Sequence, residues 1–83
     1  MTVEVLYFAW LRERVGAARE RVETKAPTVA ALVEELRARS DGHALAFSDL
    51  RAVRVAVDQK LAAPETPLDG VREVAFFPPM TGG

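Results

Sequence analysis

One stretch of this sequence carries a helical repeat, and the segments around it alternate or break. Val29, Leu32, Val33 and Leu36 recur at i, i+3, i+4 and i+7, which places four apolar side chains along one side of a helix. Thr28, after Pro27, is a good N-cap. Glu34, Glu35, Arg37 and Arg39 fall on the wet side, with Glu35 and Arg39 at the favourable i, i+4 spacing. The third helical position is not glutamate, so no full capping box forms. Gly42 is the expected C-terminal stop. A lone helix can cover only one face of a sheet, and that limits what the remaining residues can build.

The remaining residues read as strands. Val3 to Ala9 alternates, with Val3, Val5 and Tyr7 on one face and Glu4, Leu6 and Phe8 on the other. Trp10 to Val15 is expected as a single helical turn stopped by Gly16, and Arg19 to Thr24 as an edge strand paired back on the first. His43 to Leu50 is expected as a connector with Leu45 and Phe47 tucked under the domain. Ala52 to Asp58 is a strand with Val53, Val55 and Val57 inward; Asp58-Gln59-Lys60 reverses it into a short strand at Leu61-Ala62. Leu68-Asp69-Gly70 turns the chain into a last strand, Glu73 to Pro78. The order of strand, strand, helix, strand, short strand, strand is that of the β-grasp, or ubiquitin-like, fold. It is an α+β fold whose mixed sheet has one main helix on one face. The chain reads as a single domain over residues 1–83, with 79–83 as a flexible C-terminal tail.

Composition removes several classes of function. The net charge is −1 and the only dense charge run, Arg19-Glu20-Arg21 before Val22-Glu23, mixes both signs, so nothing points to nucleic acid. There is no cysteine, hence no disulfide, thiolate metal site or cysteine nucleophile. No apolar run approaches the ~20 residues of a membrane-spanning helix, and no signal peptide is visible; a cytoplasmic location is expected. A chain of 83 residues buries only roughly 60% of its unfolded surface, which leaves little room for an internal active site.

The final segment reads Val74-Ala75-Phe76-Phe77-Pro78-Pro79-Met80-Thr81-Gly82-Gly83. Two prolines cannot donate ladder hydrogen bonds, so strand pairing must stop at Pro78. Met80, Thr81, Gly82 and Gly83 then form an arm at most about 14 Å long at full extension. A glycine pair can enter a narrow channel and adopt backbone angles closed to other residues. A carboxylate at its end is a poor electrophile until activated as an acyl-adenylate, from which sulfide can displace the leaving group to give a thiocarboxylate.

The run Phe76-Phe77-Pro78-Pro79-Met80-Thr81-Gly82-Gly83 resembles the C-terminal signature of the small subunit of molybdopterin synthase, the MoaD family. Val5-Leu6-Tyr7-Phe8-Ala9 with Leu11-Arg12-Glu13, the helix start Pro27-Thr28-Val29 and the segment Val55-Ala56-Val57-Asp58-Gln59 are similar to that family too. Asp58 stands where asparagine is common, and Val71-Arg72 replaces an acidic turn. The resemblance implies that an E1-like adenylyltransferase uses ATP to activate Gly83, and that a sulfur-donating enzyme completes the thiocarboxylate. The arm then inserts into the large subunit of molybdopterin synthase, which holds cyclic pyranopterin monophosphate, and two sulfur transfers build the dithiolene of molybdopterin. It implies a heterotetramer with two small subunits at its ends. It also places the catalytic lysines in the large subunit, which leaves this chain a non-catalytic sulfur donor with no catalytic side chain, no metal and no bound cofactor of its own.

Alternation also names a partner face. If Val5 and Phe76 face the helix, Leu6, Phe8, Ala75 and Phe77 face away from it, and nothing else in the chain is left to cover them. A cluster of apolar side chains there marks an interface, with Phe8 and Phe77 as aromatic anchors. The family resemblance implies that Phe8, Leu61 and Phe77 pack on the partner and that Arg12 makes polar contacts. The bland alternative is that these side chains lie beneath loops. His43, the sole histidine, is expected to be solvated or capping. Asp69, Glu73 and Glu65 are explained by a turn and a strand start, Trp10 by core or rim packing. Other sulfur carriers of the same fold, a modifier conjugated to lysines, and a passive binding module are the competing readings.

Overall fold

The computed structural model describes residues 1–79. In chain order the elements are β1 (Thr2–Tyr7), α1 (Trp10–Val15), β2 (Arg19–Glu23), α2 (Val29–Arg37), α3 (Asp41–Ala46), a 3-10 turn (Leu50–Ala52), β3 (Arg54–Val57), β4 (Lys60–Ala62) and β5 (Glu73–Phe77). The five strands make one sheet in the order β2-β1-β5-β3-β4. β1 and β5 run parallel at its centre, and the other neighbours are antiparallel. This mixed sheet under one main helix is the β-grasp arrangement that the sequence predicts.

Alternation decides which side of the sheet is dry. Val3, Val5 and Tyr7 of β1 and Val74 and Phe76 of β5 are buried against α2, together with Val29, Leu32, Val33 and Leu36. Tyr7, Phe47 and Phe76 form the aromatic centre of this core, with the Phe47 and Phe76 rings edge-on at 5.0 Å. Such geometry adds about 1 kcal/mol to the gain from area burial alone.

Two expectations are corrected here. α2 does not run to Gly42; it ends at Arg37, with Ala38 as its cap. Ser40 then caps a new helix by accepting the His43 N–H at 3.1 Å. Gly42 sits inside that helix, where a Cβ would collide with the Arg14 carbonyl oxygen of α1. Glycine is therefore required for the close approach of α1 and α3, and the helix stop comes earlier. The connector expected from His43 is thus largely helical; Phe47 is fully buried, but Leu45 is 55% exposed.

His43 is likewise not solvated. It is buried, with Nε2 2.7 Å from Glu20 Oε2 and Nδ1 2.7 Å from Ser40 Oγ. Tyr7 donates its phenol to the same Glu20 carboxylate at 2.6 Å, and Arg39 lies 3.4 Å from its other oxygen. Burial raises the Glu20 pKa, but the hydrogen bonds from Tyr7 and His43, with the charges of His43 and Arg39, bring it below the usual carboxylate value. Burial, then Glu20, pushes the Tyr7 phenol well up. The cluster ties β1, β2 and α3 together at one end of the core.

Candidate functional site

The side of the sheet away from α2 has no cover among the described residues. Register aligns Leu6 with Ala75, Ala75 with Ala56, and Ala56 with Leu61, so four strands contribute one apolar row. The next row outward on that face holds Phe77 opposite Arg54, with Phe8 beside it through a Phe8 N–H to Phe76 carbonyl bond of 3.1 Å. Leu6, Phe8, Ala56, Gln59, Glu73, Ala75, Phe77, Pro78 and Pro79 line an open groove of about 750 Å³. Phe8 is 49% exposed and Leu61 80% exposed, so these side chains do not lie beneath loops.

Of the residues that the sequence assigns to the interface, Leu6, Phe8, Ala75 and Phe77 meet in the groove. Leu61 shares their face at the β4 edge without lining it. Arg12 is exposed on α1, and it too is not among the groove's lining. Sequence reasoning did not assign Ala56, Gln59 or Glu73 to the groove. The parity of Ala56 pointed outward, but a small side chain draws no attention. Glu73 reads as a strand start because its charge breaks the apolar pattern. Met80, Thr81, Gly82 and Gly83 lie outside the described residues, as does most of the expected tail; Pro78 and Pro79 lead to them from the groove rim.

Backbone conformation is unusual at both sides of this groove. Ala9, directly after Phe8, has φ 55° and ψ −133°, and the Leu11 N–H closes a turn onto the Phe8 carbonyl at 3.2 Å. These are the angles of a type II′ turn, whose first central position favours glycine. Across the sheet, Asp58 and Gln59 have φ 48° and 71° and form the two-residue turn between β3 and β4. Positive φ at both central positions matches the right-handed twist of the hairpin strands. Asp58 Oδ1 accepts the N–H groups of Arg72 and Glu73 at 3.0 and 2.9 Å, which fixes this turn to the start of β5.

Other candidates carry less. A smaller apolar pocket of about 150 Å³ beneath α2, lined in part by Val29, Val33, Val53 and Phe76, is a crevice at the core margin. Trp10 is half-buried against the core, with the Arg14 guanidinium 4.5 Å over its ring. Among the described residues no group of three His, Asp or Glu side chains is placed to hold a metal, and no helix is long and apolar enough to cross a membrane.

Comparison with known proteins bears on the family and the fold. The chain is 46% identical over 81 residues to the molybdopterin synthase sulfur carrier subunit of Escherichia coli (strain K12), covering 98% of this chain and 99% of that protein. The protein of the same name from Haemophilus influenzae is 37% identical over the same shares of the two chains. The crystal structure of SAMP1, small archaeal modifier protein 1, from Haloferax volcanii superposes with a TM-score of 0.74 at 25% identity, covering all of both chains. The ThiS family matches residues 5–83. The chain thus belongs to the ThiS family, with molybdopterin synthase sulfur carrier subunits among its full-length relatives.

Proposed function

We propose that this chain is the sulfur-carrying subunit of a molybdopterin synthase and that the Gly83 carboxylate is its reactive group. The observation that carries this reading is continuity: the exposed Phe8–Phe77 groove runs into Pro78-Pro79, directly before Met80-Thr81-Gly82-Gly83. A partner that covers the groove therefore also meets Pro78 and Pro79, the residues that precede the proposed reactive end in the chain. The name shared by the two full-length relatives, and a family match that reaches residue 83, support it.

In this reading the chain meets an E1-like adenylyltransferase first. The Gly83 carboxylate attacks ATP, forms the acyl-adenylate and releases pyrophosphate. Sulfide-level sulfur from a sulfur-donating enzyme displaces AMP and leaves the thiocarboxylate. The arm then enters the large subunit, where the thiocarboxylate sulfur displaces an oxygen substituent from a carbon of cyclic pyranopterin monophosphate to give a thioester, and water cleaves the acyl–sulfur bond, leaving sulfur on the pterin and a carboxylate on Gly83. Two such transfers form the molybdopterin dithiolene. Met80, Thr81, Gly82 and Gly83 are the residues that this reading inserts into the large subunit, glycine being the residue a narrow channel admits most readily, and the catalytic side chains are those of the large subunit. Leu6, Phe8, Leu61, Ala75 and Phe77 form the docking face, with Arg12 at its rim, in a cytoplasmic heterotetramer.

Intact mass spectrometry after incubation with the activating enzyme, ATP and a sulfur source tests this directly. The expected result is replacement of one oxygen by sulfur on Gly83. An unchanged mass, or undiminished cofactor assembly by a chain extended beyond Gly83, overturns it. The likeness to SAMP1 favours a second reading, in which the same activated end is joined to lysines of other proteins. That reading requires higher-mass conjugates in cell extract that disappear when Gly82 and Gly83 are removed.

A further inference from the structure

We infer that Glu73 is a specificity residue of the docking face, and that the partner protein covering the groove places a lysine or arginine side chain against it. Partner identity here rests on the proposed function. The argument starts from the groove's composition. Its floor and rim are Leu6, Phe8, Ala56, Ala75, Phe77, Pro78 and Pro79, with Gln59 as a neutral polar neighbour; Glu73 alone carries charge.

The acids near Glu73 are already compensated. Glu4, its neighbour across the β1–β5 pairing, is held by Arg19 at 3.4 Å. Asp58 accepts two backbone N–H groups through Oδ1. No cation among the described residues lies within 4.0 Å of the Glu73 carboxylate. The basic residues of this face are elsewhere. Arg19 and Arg21 stand opposite Leu6 and Glu4 on β2, two strands away, with Arg19 engaged by Glu4, and Arg54 stands in the Phe77 row, donating to the Arg51 and Val53 carbonyls. Arg72 precedes Glu73 and has the opposite parity.

A protein that seats apolar side chains on Phe8, Phe77 and Ala75 also strips water from Glu73. An unpaired carboxylate in that position loses its hydration without compensation, and a facing ammonium or guanidinium offsets that loss and fixes the orientation of the partner. The acid therefore rejects partners that are apolar or acidic at this point, which an uncharged groove would accept.

The test compares Glu73→Gln and Glu73→Lys with the unaltered chain, titrated calorimetrically against the molybdopterin synthase large subunit of the same organism at low and high salt. Glu65→Lys, an exposed position away from the groove, controls for net charge. Both Glu73 variants should keep the thermal midpoint, because no hydrogen bond or ion pair of the described residues uses this carboxylate. The expected result is a Kd raised at least about tenfold by Gln and further by Lys, with a weaker salt dependence for Gln and no change for Glu65→Lys. Equal Kd values for the unaltered chain and both Glu73 variants, or an equal loss with Glu65→Lys, overturn the inference alone. No binding by the unaltered chain overturns the proposed function and this inference with it.

Discussion

Phe76 and Phe77 are adjacent in sequence and belong to different parts of the molecule. Phe76 is 1% exposed among Tyr7, Phe47 and the α2 stripe; Phe77 lies half-buried on the uncovered face. The sheet thus has one face that holds the domain together and one that has no structural duty within it. What the contrast teaches is that a small domain can separate folding from recognition by strand parity alone. It also defines what should happen when each face is damaged.

Damage to the covered face should give the largest effect. Phe76→Ala removes a fully buried ring and should cost about 3–5 kcal/mol of stability, read as a lowered urea midpoint. A loss below about 1 kcal/mol would mean that the two faces do not differ as described. Phe77→Asp should do the reverse. Its urea midpoint should stay close to that of the unaltered chain, while binding to the large subunit weakens by about 2 kcal/mol or more. Equal binding by the two proteins, measured by calorimetry, would remove this face from the interface.

The polar cluster around Glu20 tests how far the covered face depends on more than apolar packing. Glu20→Ala leaves the His43 imidazole and the Tyr7 phenol without their acceptor, and should cost about 1–3 kcal/mol. The Glu20 pKa is lowered by folding, so its contribution is complete above the ordinary value of 4.5 and is lost as pH falls through the lower folded value. The Tyr7 pKa is raised, so its contribution is complete below the ordinary value of 10.0 and is lost as pH rises past it. Thermal midpoints across pH should therefore fall at both ends, and Glu20→Ala should flatten the acid limb. An unchanged acid limb would show that Glu20 does not link folding to pH.

These contrasts also show which features could be read from the chain. Period-2 alternation in Val3–Phe8 and Val74–Phe77 was enough to assign both faces of the sheet, because each strand carries several apolar residues of each parity. The α2 stripe was legible for the same reason at a period of 3.6. α3 was not legible: six residues, the second a glycine, are too short for periodicity, and Gly42 reads as a stop until Arg14 is placed beside it. His43 was misread because Glu20, 23 residues away, becomes its neighbour only when β2 and α3 pack. The site shows the same limit. Phe8 and Phe77 were found as large apolar residues of the right parity, but Glu73 interrupts the pattern that reveals them.

Ala9 marks where the chain leaves β1, immediately after the exposed Phe8, and it offers the smallest and sharpest test. Its φ of 55° with ψ of −133° is a conformation that costs a residue with a Cβ about 1–3 kcal/mol. Glycine adopts it without strain but gives the unfolded chain more freedom, a loss of about 0.4–1 kcal/mol. The two terms oppose each other and leave Ala9→Gly a net stabilisation between about 0 and 2.6 kcal/mol, read as a raised thermal midpoint. Binding should respond in the opposite direction. A glycine at this turn holds Phe8 less firmly over the groove, so the Kd for the large subunit should rise slightly while the fold gains stability. A variant that is both less stable and weaker in binding would show that the turn is not strained and that Ala9 serves the covered face as well as the open one.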